Sequence, residues 1–163
     1  MSNAHMKTIF PFLLFGLLLF NISCLKNTNN YTCTPVSPQS EQAQILAYAS
    51  ANGINATVHS SGLYYEIINA GVGPSPTGSS RIYVKYTGKL TNGTVFDSQT
   101  NASLTGWQLN TLIAGWQIGL PLIQKGGTIK LIIPSSLAYA CQSTGNIPAN
   151  SILYFEIELV DVQ

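Results

Sequence analysis

Thr111 to Gly127, TLIAGWQIGLPLIQKGG, is the one compact apolar helix candidate in a region whose other segments read as strand and turn. Leu112, Ile113, Trp116 and Leu120 recur at spacings of one, three and four, which places them on one face of a short helix. Gly115 and Gly119 lie between them, and Pro121 ends the regular helix. One short helix among many strands predicts an α+β fold, an antiparallel sheet wrapped across that helix. On the buried face of a short helix Trp116 reads first as a core residue, and the pattern alone leaves open whether it is only that.

The strands on either side are legible from alternation. Arg81 to Leu90 places Ile82, Val84 and Tyr86 on one face and Tyr83 and Lys85 on the other. Asn92-Gly93 is a strong hairpin signal that returns the chain through Thr94 to Asp97. Gln99 to Gly106 is irregular, and Trp107 and Leu109 suggest a short strand before the helix. After Gly126-Gly127, Thr128 to Ile133 turns Ile129, Leu131 and Ile133 inward. Ser151 to Val160 points Leu153, Phe155, Ile157 and Leu159 inward, with Tyr154, Glu156 and Glu158 outward. Upstream, Ala56 to His59 and Leu63 to Asn69 read as two strands around Ser60-Ser61-Gly62. Before them, Ser37-Pro38 is an N-cap and first-turn pair for a helix with a modest apolar face of Ile45, Leu46 and Tyr48, and Gly53 is its stop.

Hydrophobic residues make up 45% of the chain, enough for a core, whereas charged residues are only 8% and the formal net charge is +1. With no basic stripe, capture of nucleic acid is not expected. Met1 to His5 read as an expression scar. Lys7 followed by the apolar run Ile9 to Phe20 has the charge and length of a signal peptide, and falls short of the about 20 residues of a membrane span. Ser23-Cys24 after that run resembles a bacterial lipobox, which would make Cys24 a lipidation site; Asn21 departs from the usual Leu. An ordinary cleaved signal and an uncleaved anchor are the other readings. The expected organisation is scar (1–5), signal peptide (6–23), tether (24–38), N-terminal helix and hairpin extension (39–78) and main domain (79–163). The expected location is outside the cytoplasm, lipid-anchored to the cell envelope on its periplasmic face or at the cell surface, with no other membrane contact.

With Cys24 lipidated, Cys33 and Cys141 are left as an even pair in an oxidising compartment, a candidate disulfide. Two free thiols are the alternative.

Familiar catalytic apparatus is missing. Outside the scar His59 is the single histidine, so no metal site and no cofactor is expected; nothing supports the geometry of a serine triad built on it, and a thiol nucleophile lacks a partner histidine. Aromatic residues on inward faces are plentiful instead: Tyr86, Phe96 beside Asp97, Trp116 and Phe155, with Tyr139 in a loop. Such rings suit a ligand pocket, and a plain core accounts for them as well.

The segments Val84-Lys85-Tyr86-Thr87-Gly88 and Asn92-Gly93-Thr94-Val95-Phe96-Asp97-Ser98 resemble the signature of FKBP-type peptidyl-prolyl isomerases. The resemblance continues through Leu112-Ile113-Ala114-Gly115-Trp116, Ile133-Pro134, Leu137-Ala138-Tyr139, Ile147-Pro148-Ala149-Asn150 and Leu153 to Leu159, and it covers Ser79 to Gln163. The N-terminal features are similar to exported lipoprotein members from Bacteroidetes-like bacteria. The resemblance implies a protein that rotates X–Pro bonds of proline-containing polypeptides and needs no cofactor. A macrolide immunosuppressant is a further ligand it implies.

Carried over by position, the resemblance makes Trp116 the floor beneath a proline ring, and Tyr86, Phe96, Trp107, Leu112, Ile113 and Phe155 the walls. The Ile113 backbone N–H and the Tyr139 hydroxyl would bind substrate carbonyls, Ile147 would close the rim, and Asp97 would act on the twisting amide. Trp116 is then expected to be partly open to solvent. The sequence departs from the family where Leu104 or Thr105 replaces an aromatic residue, where Asn101 stands near the position of an arginine, and at Ala140, which replaces a glycine. A catalytically weak or inactive module that binds Pro-containing peptides is the alternative reading.

Overall fold

The computed structural model describes residues 33–163. The expected signal peptide, 6–23, and the expected lipidation site, Cys24, lie outside the described residues. The first element is α1 (Pro38–Ala51), and its ends follow from local chemistry. Ser37 caps it by accepting the Ser40 N–H through its side chain, Pro38 takes the first turn, and Gly53 leaves it with φ +62°. A short hairpin follows, β1 (Thr57–Val58) and β2 (Tyr64–Asn69), then the long β3 (Arg81–Leu90), β4 (Val95–Gln99) and β5 (Trp107–Gln108). The helix α2 (Ala114–Gly119) precedes β6 (Thr128–Ile133) and β7 (Leu153–Val162).

All seven strands form one antiparallel sheet in the order β1-β2-β6-β7-β3-β4, with β5 pairing the start of β3. The last strand, β7, therefore sits centrally, paired to β6 on one side and β3 on the other. The hairpin of β1 and β2 joins the same sheet through β2 against β6.

The inner face of the sheet carries Ile82, Val84 and Tyr86 from β3, Ile129, Leu131 and Ile133 from β6, and Leu153, Phe155, Ile157 and Leu159 from β7. Trp116, Leu120 and Ile123 pack into the same cluster. The glycines of α2 are what permits this approach. A β-carbon on Gly115 would lie 2.5 Å from Ile133 Cγ2, and one on Gly119 would lie 2.7 Å from a Leu131 methyl. The residues at i and i+4 thus face β6, and the helix presses its backbone onto the sheet.

The helix is shorter than the spacing of apolar residues predicts. Leu112 (φ −92°, ψ 173°) and Ile113 (φ −60°, ψ 148°) are extended, so of the four residues assigned to one helical face only Trp116 and Leu120 share the helical stretch. Pro121 then sits in a 3-10 turn, Leu120–Leu122.

Tyr154 faces outward on β7 as its alternation predicts, yet it is buried. The β2–β6–β7 register lines up Tyr64, Ile132 and Tyr154 as one row across the outer face. Ile45 and Ala49 of α1 pack over that row with Ile54 and Ile152. The Tyr48 and Tyr154 rings meet 5.6 Å apart. One region of the sheet is therefore covered on both sides, and α1 supplies the second cover.

Candidate active site

β3 and β4 position the acidic end of the site through an irregularity. Gly88 pairs with Asp97, but Lys89 pairs with Val95, so Phe96 is an extra residue in β4. In a regular strand Phe96 and Asp97 would point to opposite faces. The bulge turns both side chains toward one cavity. Gly88 makes room for the consequence: a β-carbon there would stand 2.7 Å from both the Phe96 and the Phe155 rings.

The cavity, about 320 Å³, is lined by Tyr86, Phe96, Trp107, Trp116 and Phe155, with Asp97, Thr111, Leu112, Ile113 and Tyr139 around them. The rings meet edge to face. Trp116 and Phe155 centroids are 5.2 Å apart at 87°, Tyr86 and Trp116 5.3 Å at 82°, and Phe96 and Phe155 5.5 Å at 84°. Such contacts set the positive edge of one ring on the negative face of the next and give the cavity rigid walls. Trp116 is only 4% exposed, against the expectation of a partly open indole, although it does line the cavity. Tyr86, Phe155 and the sheet enclose it from the sides, and its Nε1–H has no partner among the described residues.

The polar groups are few. Asp97 Oδ2 accepts a 2.6 Å hydrogen bond from the Tyr86 hydroxyl. Burial first, then the bond to Asp97 and its charge, push the Tyr86 phenol well above the ordinary tyrosine value. Asn101, near the position where the family pattern has an arginine, caps a 3-10 turn by accepting the Ser103 N–H. The Ile113 N–H and the Tyr139 hydroxyl donate to no group among the described residues. Ile113 is held in place from behind: its carbonyl accepts the Trp116 and Gln117 N–H groups, and the Gln117 side-chain amide donates to Leu112 O at 2.6 Å.

Of the residues assigned from sequence, the cavity gathers Tyr86, Phe96, Asp97, Trp107, Leu112, Ile113, Trp116, Tyr139 and Phe155. Ile147 does not line it; it is buried in the adjacent core, where Thr144 and Ile147 bridge each other within their loop. Thr111 was not foreseen and does line it; nothing about an exposed threonine in a turn marks it in the sequence. Where the family pattern has a further aromatic, Leu104 is 64% exposed and Thr105 bonds to the backbone of β3, so neither contributes a wall. Cys33 and Cys141 are disulfide-bonded with Cα atoms 5.4 Å apart, two residues from Tyr139.

Fold and cavity together define an antiparallel-sheet domain whose site is built of aromatic rings, one carboxylate and a few hydrogen-bond donors. Residues 73–160 match the sequence model of the FKBP-type peptidyl-prolyl cis-trans isomerases, and the chain belongs to that family. It is 41% identical over 117 residues to the FKBP-type peptidyl-prolyl cis-trans isomerase FkpA of Escherichia coli K12, a match covering 71% of this chain and 43% of that protein. The chain thus corresponds to about half the length of such relatives. The crystal structure of FkpA from E. coli superposes with a TM-score of 0.66 at 36% identity, covering 77% of this chain and 61% of the other. A peptidyl-prolyl cis-trans isomerase from Pseudomonas syringae pv. tomato superposes with a TM-score of 0.64 at 27% identity, covering 80% and 98%.

Proposed function

We propose that this protein is a peptidyl-prolyl cis-trans isomerase that acts on X–Pro bonds of exported or envelope proteins and so assists their folding. The observation that carries the reading is the convergence of five rings, one carboxylate and two unengaged donors on a single cavity of about 320 Å³. The barrier to rotation, about 18–20 kcal/mol, is the loss of amide resonance, so the reaction needs neither a nucleophile nor a metal.

The chemistry follows from what each group does to the amide. A proline ring enters over Trp116, between Tyr86, Phe96, Trp107 and Phe155, and displaces the water that hydrogen-bonds the planar amide. The Ile113 N–H and Tyr139 O–H hold flanking carbonyls and fix the chain on one side of the rotating C–N bond. Asp97, held by Tyr86, presents its charge to the amide as resonance is lost. Binding the twisted form better than the planar ones lowers the barrier.

The same reading places the protein outside the cytoplasm as a member of a lipoprotein subgroup of Bacteroidetes-like type, tethered through a lipid on Cys24. A macrolide immunosuppressant is a competing ligand for the cavity in this reading. The test is a proline-limited refolding or protease-coupled peptide assay on the chain from Cys24 onward. A rate equal to the uncatalysed control, with folded protein, overturns it. A second reading, a module that binds Pro-containing peptides without catalysis, is favoured by one feature: Asp97 is exposed, and Tyr86 is its single side-chain partner among the described residues. Peptide binding without rate enhancement identifies that case.

A further inference from the structure

The carboxylate of Glu41 on α1 is 7% exposed, the one buried charged side chain among the described residues. Burying it is unfavourable unless it is hydrogen-bonded. Its Oε2 accepts the backbone N–H of Ser135 at 2.8 Å, ninety-four residues away in sequence. Ser135 begins the connection between β6 and β7, and its own carbonyl accepts the N–H groups of Ala138 at 3.0 Å and Ala140 at 2.8 Å. Those two residues flank Tyr139.

The far side of Tyr139 is fixed as well. Ala140 has φ +51°, a left-handed conformation that L residues with a β-carbon resist. Its carbonyl accepts the Asn150 N–H at 2.7 Å, and the next residue, Cys141, is bonded to Cys33. Cys33 and Glu41 both belong to the segment before the hairpin, and both attach to the same loop.

We propose that Glu41 and the Cys33–Cys141 bridge are positioning elements that hold the Tyr139 hydroxyl over the cavity, so that the N-terminal segment tunes substrate binding. This rests on the isomerase reading, in which Tyr139 donates to a substrate carbonyl. The geometry runs without a gap from the Glu41 carboxylate to Ser135, from the Ser135 carbonyl to both neighbours of Tyr139, and from Cys141 back to Cys33. The donor does not fix itself: the Tyr139 hydroxyl bonds to nothing among the described residues, so its place depends on its backbone.

The experiment measures isomerisation of an X–Pro peptide by the full chain in detergent, for Glu41→Ala, Glu41→Gln and Cys33→Ser, each alone and combined with Tyr139→Phe. Glu41→Ala and Cys33→Ser should each raise KM about fivefold, the effect of losing one hydrogen bond's worth of positioning, with kcat changed less. Glu41→Gln, whose amide oxygen can accept the same N–H, should stay near the parent. On the Tyr139→Phe background Glu41→Ala should add nothing. An equal loss on both backgrounds, or an unchanged KM, overturns the proposal. If Glu41→Ala does not fold, Cys33→Ser carries the same comparison with α1 intact. If the parent gives no acceleration, the isomerase reading fails, and amide exchange at Ala138 and Ala140 decides the clamp. Faster exchange in the variants supports it, and unchanged exchange overturns it.

Discussion

The Tyr86 hydroxyl donates to Asp97 Oδ2 at 2.6 Å, although Asp97 pairs with Gly88 two residues further along β3. The bond runs diagonally across the β3–β4 pair and ties a wall residue to the carboxylate. Tyr86→Phe keeps the ring contacts with Trp116 and removes only this bond. Since a hydrogen bond to a charged group is worth about 1.5 kcal/mol or more, kcat/KM should fall roughly tenfold in the coupled peptide assay. Asp97→Ala should fall at least as far. Activity untouched in both variants would mean that Asp97 takes no part.

Tyr86 and Tyr154 should ionise late. Both phenols are pushed above the ordinary value of 10.0, Tyr86 by burial and then Asp97, Tyr154 by burial and then Glu156. A group with a raised folded-state pKa stabilises the fold fully below its unfolded value, and that contribution is lost as the pH climbs above about 10. Burial raises the Tyr48 phenol as well, so absorbance titration should show three late tyrosines, Tyr48, Tyr86 and Tyr154, and stability should decline over that alkaline range. In Tyr154→Phe the decline should be shallower.

Gly88→Ala should test the closeness of the two phenylalanine rings. The added methyl would meet both at 2.7 Å, so at least one ring must turn. Overpacking of this kind costs about 1–3 kcal/mol. Urea denaturation should register the cost, and KM should rise because Phe96 and Phe155 are cavity walls. A variant as stable and active as the parent would show that the rings yield freely.

Ile45→Ala tests whether α1 belongs to the structural unit. Ile45 is fully buried over the row formed by Tyr64, Ile132 and Tyr154. Removing such a side chain typically costs about 2–5 kcal/mol. A single cooperative unfolding transition shifted to lower temperature is the expected result. Separate loss of α1, with the remaining transition unmoved, would make it an independent appendage.

The sheet was legible because its inner strands alternate. Ile82, Val84 and Tyr86, and the run from Leu153 to Leu159, carry a period of two that only a half-buried strand explains. Most of the cavity was legible through family motifs, which keep the order of Tyr86, Phe96-Asp97, Ile113, Trp116 and Tyr139. Periodicity failed where tertiary contacts decide. Leu112 and Ile113 have helical spacing but lie extended, because the helix starts only where Gly115 can press against Ile133. The bulge at Phe96 and the burial of Tyr154 depend on partners far away in sequence, and local pattern has no access to them. Ile147 kept its motif position while its side chain went to the core.

The position of β7 bears on how the domain assembles. Leu153–Val162 joins β3 to β6, so the halves of the sheet have no direct pairing until the last strand arrives. Every earlier intermediate leaves apolar strand edges open, and closure requires long-range contacts of the kind that slow folding and invite aggregation. A protein read as a helper of slow folding is therefore itself dependent on a late, non-local step, and would need protection until its final strand is in place.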